Sequence, residues 1–351
     1  MSLKRTFAFS MAALAALTVF CGCSFGPTNA SVESAAPPPL QFVGEWGSRG
    51  NGPGQLDQPA SIATDMRSNV YIADVGSGFI EKFQPGGTPL LAFQDALLKH
   101  PQEIAIDRGG AIYVSDPVRQ SVFVFMPEGT RYRVIRMAGR GNAENELDVA
   151  VDDAGSMSVL DVNAAKLYDF NSRFRLAHVW KPGMGAATGP GRPTSVTSGP
   201  LNAIFVGGLG ANSLLRFVDG SFTSQVALGP EPQPDAHASG SSDPHSATPN
   251  PVPNAVPNAV PNPIPNPVSD PPSNRVRNQF AISSNYIFLV DADGKTLHVW
   301  TIDGKPKGDF DLSGQLGEDR RAAPPIAVTP ANDLLVLDTQ KPRVYRYRLN
   351  F

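Results

Sequence analysis

Three kinds of side chain in this 351-residue sequence could do chemistry. Five histidines could hold a metal, a repeated series of aspartates could act as acids or bases, and scattered arginines could grip an anion. A histidine zinc site needs about three convergent nitrogens. His237 and His245 lie in a proline-rich stretch, and His178 and His298 sit in strand-like runs, so His100 is the one histidine left in a loop position. The two cysteines, Cys21 and Cys23, are close together near the N-terminus and form no Cys/His nucleophile pair. No nucleophile elbow or P-loop occurs. The Gly-rich stretches Gly50–Gly54 and Gly183–Gly191 contain proline and follow exposed strands, and so read as loops rather than phosphate cradles.

The aspartates are more regular. Asp74, Asp116, Asp161, Asp291 and Asp338 each end a short apolar run just before a turn. A carboxylate there accepts backbone amides and organises the bend. An active site needs one or two special residues, whereas these five are equivalent, so their reading is structural. The arginines give the binding candidates: Arg49, His100, Arg119, Arg140, Arg192, Arg320 and Arg321, with Glu144, Glu146, Glu318 and Asp319 among them. As a set they point to an anionic ligand or an acidic protein surface.

The elements that must position these residues come from a repeat. Nine residues after each marker stands an aromatic: Phe83, Phe125, Phe170, Phe217 (after Gly208), Trp300 and Tyr347. Successive markers are 42, 45, 47, 83 and 47 residues apart, and the long gap contains a low-complexity insert. A unit of about 45 residues with strand-like runs predicts an all-β, six-bladed propeller. Almost wholly apolar runs such as Asn69–Asp74 suit strands buried on both faces, and alternating ones such as Phe79–Phe83 suit half-exposed strands. Small residues in Ile62-Ala-Thr, Ile104-Ala-Ile and Ile326-Ala-Val suit inner strands crowded round a channel, and the six aromatics suit the gaps between blades. The domain starts on an outer-strand signal, Leu40–Trp46, and ends on a third-strand signal, Val344–Leu349. Pairing the first onto the last blade would close the ring and remove an exposed edge. Loops from outer to inner strands then share one face with the turns after the markers, and that face carries the binding candidates around the channel mouth.

Phe42-Val-Gly-Glu-Trp-Gly47, the loop with Gly54-Gln-Leu56, Pro59–Asp65 and Asn69–Asp74 together resemble one NHL repeat. Pro101–Asp107 with Ile112–Asp116 is similar to a second, while Glu146 replaces the proline in the third copy and Gly208 the aspartate in the fourth. The resemblance implies a six-bladed propeller that binds or scaffolds. Amidating-lyase relatives of NHL domains use histidine-bound zinc, for which this chain has too few convergent histidines. Lactonase-like propellers hold calcium in the channel on acidic and amide side chains. Glu103 is the best inner-strand candidate for that role. No metal or cofactor and no catalytic residue is therefore expected, and a channel-centred hydrolase or lyase stands as the alternative.

Residues 1–22 read as an export signal: a basic head at Lys4 and Arg5, then about fourteen mostly apolar residues, too few to span a bilayer. Gly22-Cys23 at its end resembles the bacterial lipoprotein box, implying lipidation of Cys23. Residues 23–39 form a Ser/Ala/Pro-rich tether with too little apolar surface to fold. The propeller occupies 40–351, interrupted by a 230–272 insert that holds 14 of the 34 prolines. Its tandem Pro-Asn tetrapeptides suit disordered or polyproline-like chain. Net charge of -3 with 17% charged residues gives nucleic acid no purchase. The expectation is a monomeric binding module, lipid-anchored in the cell envelope: on the outer membrane, facing the periplasm, if the cell has two membranes, and otherwise outside the plasma membrane. Its partner would be an envelope protein or an anionic ligand.

Overall fold

A computed structural model describes residues 40–137, 146–181, 193–208, 213–229, 279–317 and 322–350. They form six four-stranded antiparallel sheets, and the chain is an all-β, six-bladed propeller. Blade one runs Pro59–Thr64, Val70–Asp74, Ile80–Phe83 and Pro89–Phe93 from the inside outwards, and the next four repeat that order. The inner strands of successive blades touch, and the inner strand of the last blade touches that of the first. The sixth blade takes its outermost strand from the other end of the chain. Leu40–Trp46 pairs antiparallel with Arg343–Leu349, in register from Leu40↔Leu349 to Trp46↔Val344, with a bulge between Phe42 and Gly44. The expected closure is present.

Burial explains the pattern of residue types. The second strands, Val70–Asp74, Ile112–Asp116, Met157–Asp161, Ala203–Gly207 and Asp333–Asp338, are buried at every position, as their apolar runs demand. Five of the six marker aromatics are buried on third strands, while Trp300 is partly covered. Each seals a seam between blades. Phe93 at the end of the first outer strand packs edge-on against Phe125 of blade two at 5.0 Å, and Trp180 of blade three against Phe217 of blade four at 5.4 Å. The third strands themselves depart from expectation. Ile80–Phe83 alternates in sequence yet keeps even Glu81 fully buried, because neighbouring blades cover both faces of the wedge at that radius.

The insert 230–272, the signal 1–22 and the tether 23–39 lie outside the described residues. Segment 230–278 joins Ser221–Ala227, the outermost strand of blade four, to Gln279–Ile282, the innermost of blade five.

Candidate functional site

The marker carboxylates fix one end of the ring. Asp74 is fully buried; its Oδ2 accepts the amide of Asp57 (2.7 Å), and its Oδ1 accepts those of Gln58 (3.1 Å) and Ser77 (3.0 Å). One side chain thus ties the loop entering the inner strand to the turn leaving the second strand. Asp116 does the same in blade two, taking the amides of Lys99 (2.7 Å) and His100 (3.3 Å) on Oδ2 and of Arg119 (3.0 Å) on Oδ1. Asp161 accepts Ala164, and Asp338 accepts Gln340 and Lys341. In blade four Gly208 replaces the carboxylate: its φ is +91°, a Cβ there would run into Thr194, and the entering loop is tied by the amide of Thr194 donating to the carbonyl of Gly207 (2.9 Å). The two loop families therefore share one face.

Asp291 behaves differently. Its carboxylate turns to His298, with Nε2 at 3.1 Å, while Nδ1 of the same ring lies 2.7 Å from Asp309. The imidazole also stacks on Trp300 at 5.6 Å. Partial burial pulls the His298 pKa down, but the two carboxylates outweigh it and the net shift is upward. Glu81 occupies the equivalent position in blade one, two residues before the aromatic. Its two oxygens accept the amide of Gly54 at 3.2 and 3.0 Å, which pins the Gly-rich loop. Burial, aided by the charge of Asp74 and opposed by the Gly54 amide, pushes its pKa up to about 7.

Of the expected binding residues, Arg49, His100 and Arg119 are described. Arg49 is exposed and its Nη2 donates to the carbonyl of Gln340, in the turn after the second strand of the last blade, at 3.2 Å. His100 and Arg119 are brought together by Asp116, and Nδ1 of His100 is buried with no hydrogen-bond partner among the described residues. All three stand on the loop face, but none belongs to the walls of the central channel. Arg140, Arg192, Arg320, Arg321 and Cys23 lie outside the described residues.

The channel encloses about 160 Å³ and is lined by the six inner strands. One register position, opposite the residue before each marker, contributes Ser61, Glu103, Asp148, Ser195, Gln279 and Pro325. The position two residues on is Ala63, Ala105, Ala150, Thr197, Ala281 or Ala327, so a ring that is polar in all blades but the last sits above a ring of small residues. These polar side chains stitch neighbouring blades. Ser61 Oγ accepts the amide of Ile104 (3.4 Å), and behind the ring Ser115 Oγ–H, on the second strand of blade two, donates to the carbonyl of Leu147 (2.9 Å). Asp148 takes the amide of Val196 on Oδ2 (2.8 Å) and that of Val149 on Oδ1 (2.7 Å). Burial, followed by the nearby Glu103 charge, holds the Asp148 pKa above the carboxylate range against the pull of those amides. Ser195 Oγ is buried with no hydrogen-bond partner among the described residues. Reading the sequence for channel acids finds Glu103 and misses Asp148, although laying Glu146–Asp152 on Pro59–Asp65 puts Asp148 at the same repeat position. Among the described residues no three acids or histidines converge as a metal site would require.

No protein-family model and no curated protein matches the sequence. Among solved structures the chain is similar to a streptogramin B lyase, at 12% identity and TM-score 0.49 over 84% of each chain. It is also similar to selenomethionine-substituted virginiamycin B lyase from Staphylococcus aureus, at 12% and 0.49 over 89% of each chain. A catalytically inactive variant of that enzyme with quinupristin stands at 13% and 0.48, again over 89% of each. Likenesses of this strength carry no argument about activity or site.

Proposed function

We propose that this chain is an exported, lipid-anchored NHL-type propeller that binds an envelope protein or an anionic ligand through its loop face. In this reading 1–22 is the signal, Cys23 carries the lipid, 23–39 holds the domain off the membrane, and the 230–272 insert is a surface excursion that leaves the ring intact. The observation that carries it is the anchoring of paired loops by buried marker carboxylates. Asp74 and Asp116 each fix two loops at once, so in blades one and two the backbone that carries Lys99, His100 and Arg119 is held in place before any partner arrives. Pre-organised loops on a rigid scaffold lower the ordering cost of binding. Reversing Arg49, Arg119, Arg140, Arg192, Arg320 and Arg321 to Glu together should abolish capture of an envelope partner by the purified protein; undiminished capture would overturn the reading.

A channel-centred metal enzyme is the second reading, favoured by Glu103 and Asp148 on one polar ring with Gln279 and two serines. Both oxygens of Asp148 already accept backbone amides, and the set contains no histidine, whereas calcium takes about six to eight oxygens and a zinc enzyme about three protein ligands. Elemental analysis of the purified protein separates the two readings, since a stoichiometric calcium or zinc ion would favour the enzyme.

A further inference from the structure

Resting on the reading that the loop face binds, we propose that the docking surface is the corner of blade two, and that it takes an acidic protein segment bearing an apolar anchor side chain. The corner is built around Asp116. This carboxylate is fully buried and its oxygens are engaged by three backbone amides, so its charge is directed inward at the backbone of Lys99, His100 and Arg119. The side chains of Lys99 and Arg119 are exposed on the same two segments. Exposed Arg136 joins them: it pairs with Ser121, whose hydroxyl donates to the carbonyl of Arg119 at 2.9 Å.

Several cations elsewhere on the molecule are already engaged by carboxylates. Arg131 is paired with Asp95, Arg343 with Glu45, Arg346 and Arg348 with Asp333, and Lys82 with Asp65. Among the described residues, no carboxylate pairs with Lys99, Arg119 or Arg136. Beside them stand two aliphatic side chains, Leu97 and Val118, each 49% exposed. Apolar groups rimmed by cations that meet no carboxylate among the described residues, on loops already held in place, match the make-up of a protein interface with an acidic partner. A lipid surface fits less well, because three cations with two aliphatic side chains lack the Trp and Tyr that settle at a bilayer interface.

The test is selection of phage-displayed random peptides on the full chain in detergent micelles, followed by affinity measurement with the selected peptides. The expected peptides are rich in Glu and Asp around a Leu, Ile or Phe. Their affinity should fall about tenfold or more in the triple variant Lys99→Glu/Arg119→Glu/Arg136→Glu and several-fold in Val118→Ser. Arg108→Glu, in the turn at the opposite end of the same blade, should leave it unchanged. All five residues are exposed, and unchanged thermal unfolding of the variants would confirm that the fold is kept. Peptides that respond to Arg49→Glu but not to the triple variant would overturn this inference and leave loop-face binding standing. Peptides that respond only to Arg108→Glu, or no selected peptides at all, would overturn both. Binding to phosphatidylglycerol vesicles without peptide selection would replace the proposed partner with a lipid surface.

Discussion

The indole of Trp46 lies 4.7 Å from the ring of Phe83, across the seam between the last blade and the first. Trp46 ends the strand that closes the ring, and Phe83 is the marker aromatic of blade one. Gly87, with φ +89°, passes directly beneath the indole, and a Cβ at that position would fall inside it. Ring closure therefore depends on packing as well as on the strand pairing from Leu40 to Trp46. Trp46→Ala should cost about 3 kcal/mol, read as a lowered urea midpoint, and deletion of Leu40–Trp46 should give insoluble or markedly less stable protein. An unchanged melting temperature in the deletion would contradict the closure.

Glu81 predicts a pH dependence of definite sign. Its folded pKa is raised to about 7 from an ordinary 4.5, so between those values the folded state holds the proton more tightly than the unfolded chain. Stability from this group is greatest at low pH and is lost as pH rises through about 7. Glu81→Gln removes the titration while keeping an acceptor for the Gly54 amide. The variant should gain stability over the wild type progressively between pH 5 and about 7.5, with a plateau above. Urea unfolding across that range measures the difference, and a flat difference curve would show that Glu81 does not titrate there.

His298 works in the opposite chemical sense, as a base whose raised pKa reflects Asp291 and Asp309. Its contribution is fully present below the ordinary histidine pKa of 6.5 and is lost as pH rises through the folded value. His298→Gln should therefore cost stability at pH 5.5 and little at pH 8.5. The effect should not exceed about 1 kcal/mol, because both carboxylates are open to water. An equal loss at both values would make the residue a packing element only.

Asp116→Ala removes the carboxylate that accepts three backbone amides in a buried position. Each orphaned donor costs about 1–3 kcal/mol if water cannot replace the bond. We expect a lower unfolding midpoint, together with faster hydrogen exchange at the amides of Lys99, His100 and Arg119. Asp116→Asn, which keeps one acceptor oxygen, should recover part of both. Unaltered exchange at Arg119 would mean that the turn holds itself.

The repeat was readable from the chain because it is local. Phe83, Phe125 and Phe217 recur at a fixed distance from their markers, Ala63, Ala105 and Ala327 recur on inner strands, and both follow from the alternation and crowding that one blade imposes on its own residues. The amide-binding role of Asp74 and Asp116 was legible for the same reason, since a carboxylate before a turn acts on neighbouring backbone.

The polar contacts between blades were not legible. Nothing in Ile80-Glu-Lys-Phe83 says that Glu81 is sealed from water, because the cover comes from the loop around Gly54 and from a neighbouring blade. Nothing local tells Asp148 that its acceptor is wanted by Val196, 48 residues on. Asp291 looks like the other markers in sequence, yet the presence of His298 across the strand gives its carboxylate a different partner. The sequence period sets how many wedges there are and which residues each must bury. The angle at which wedges meet decides which polar groups end up facing one another, and with them the chemistry of the channel and of the loop face.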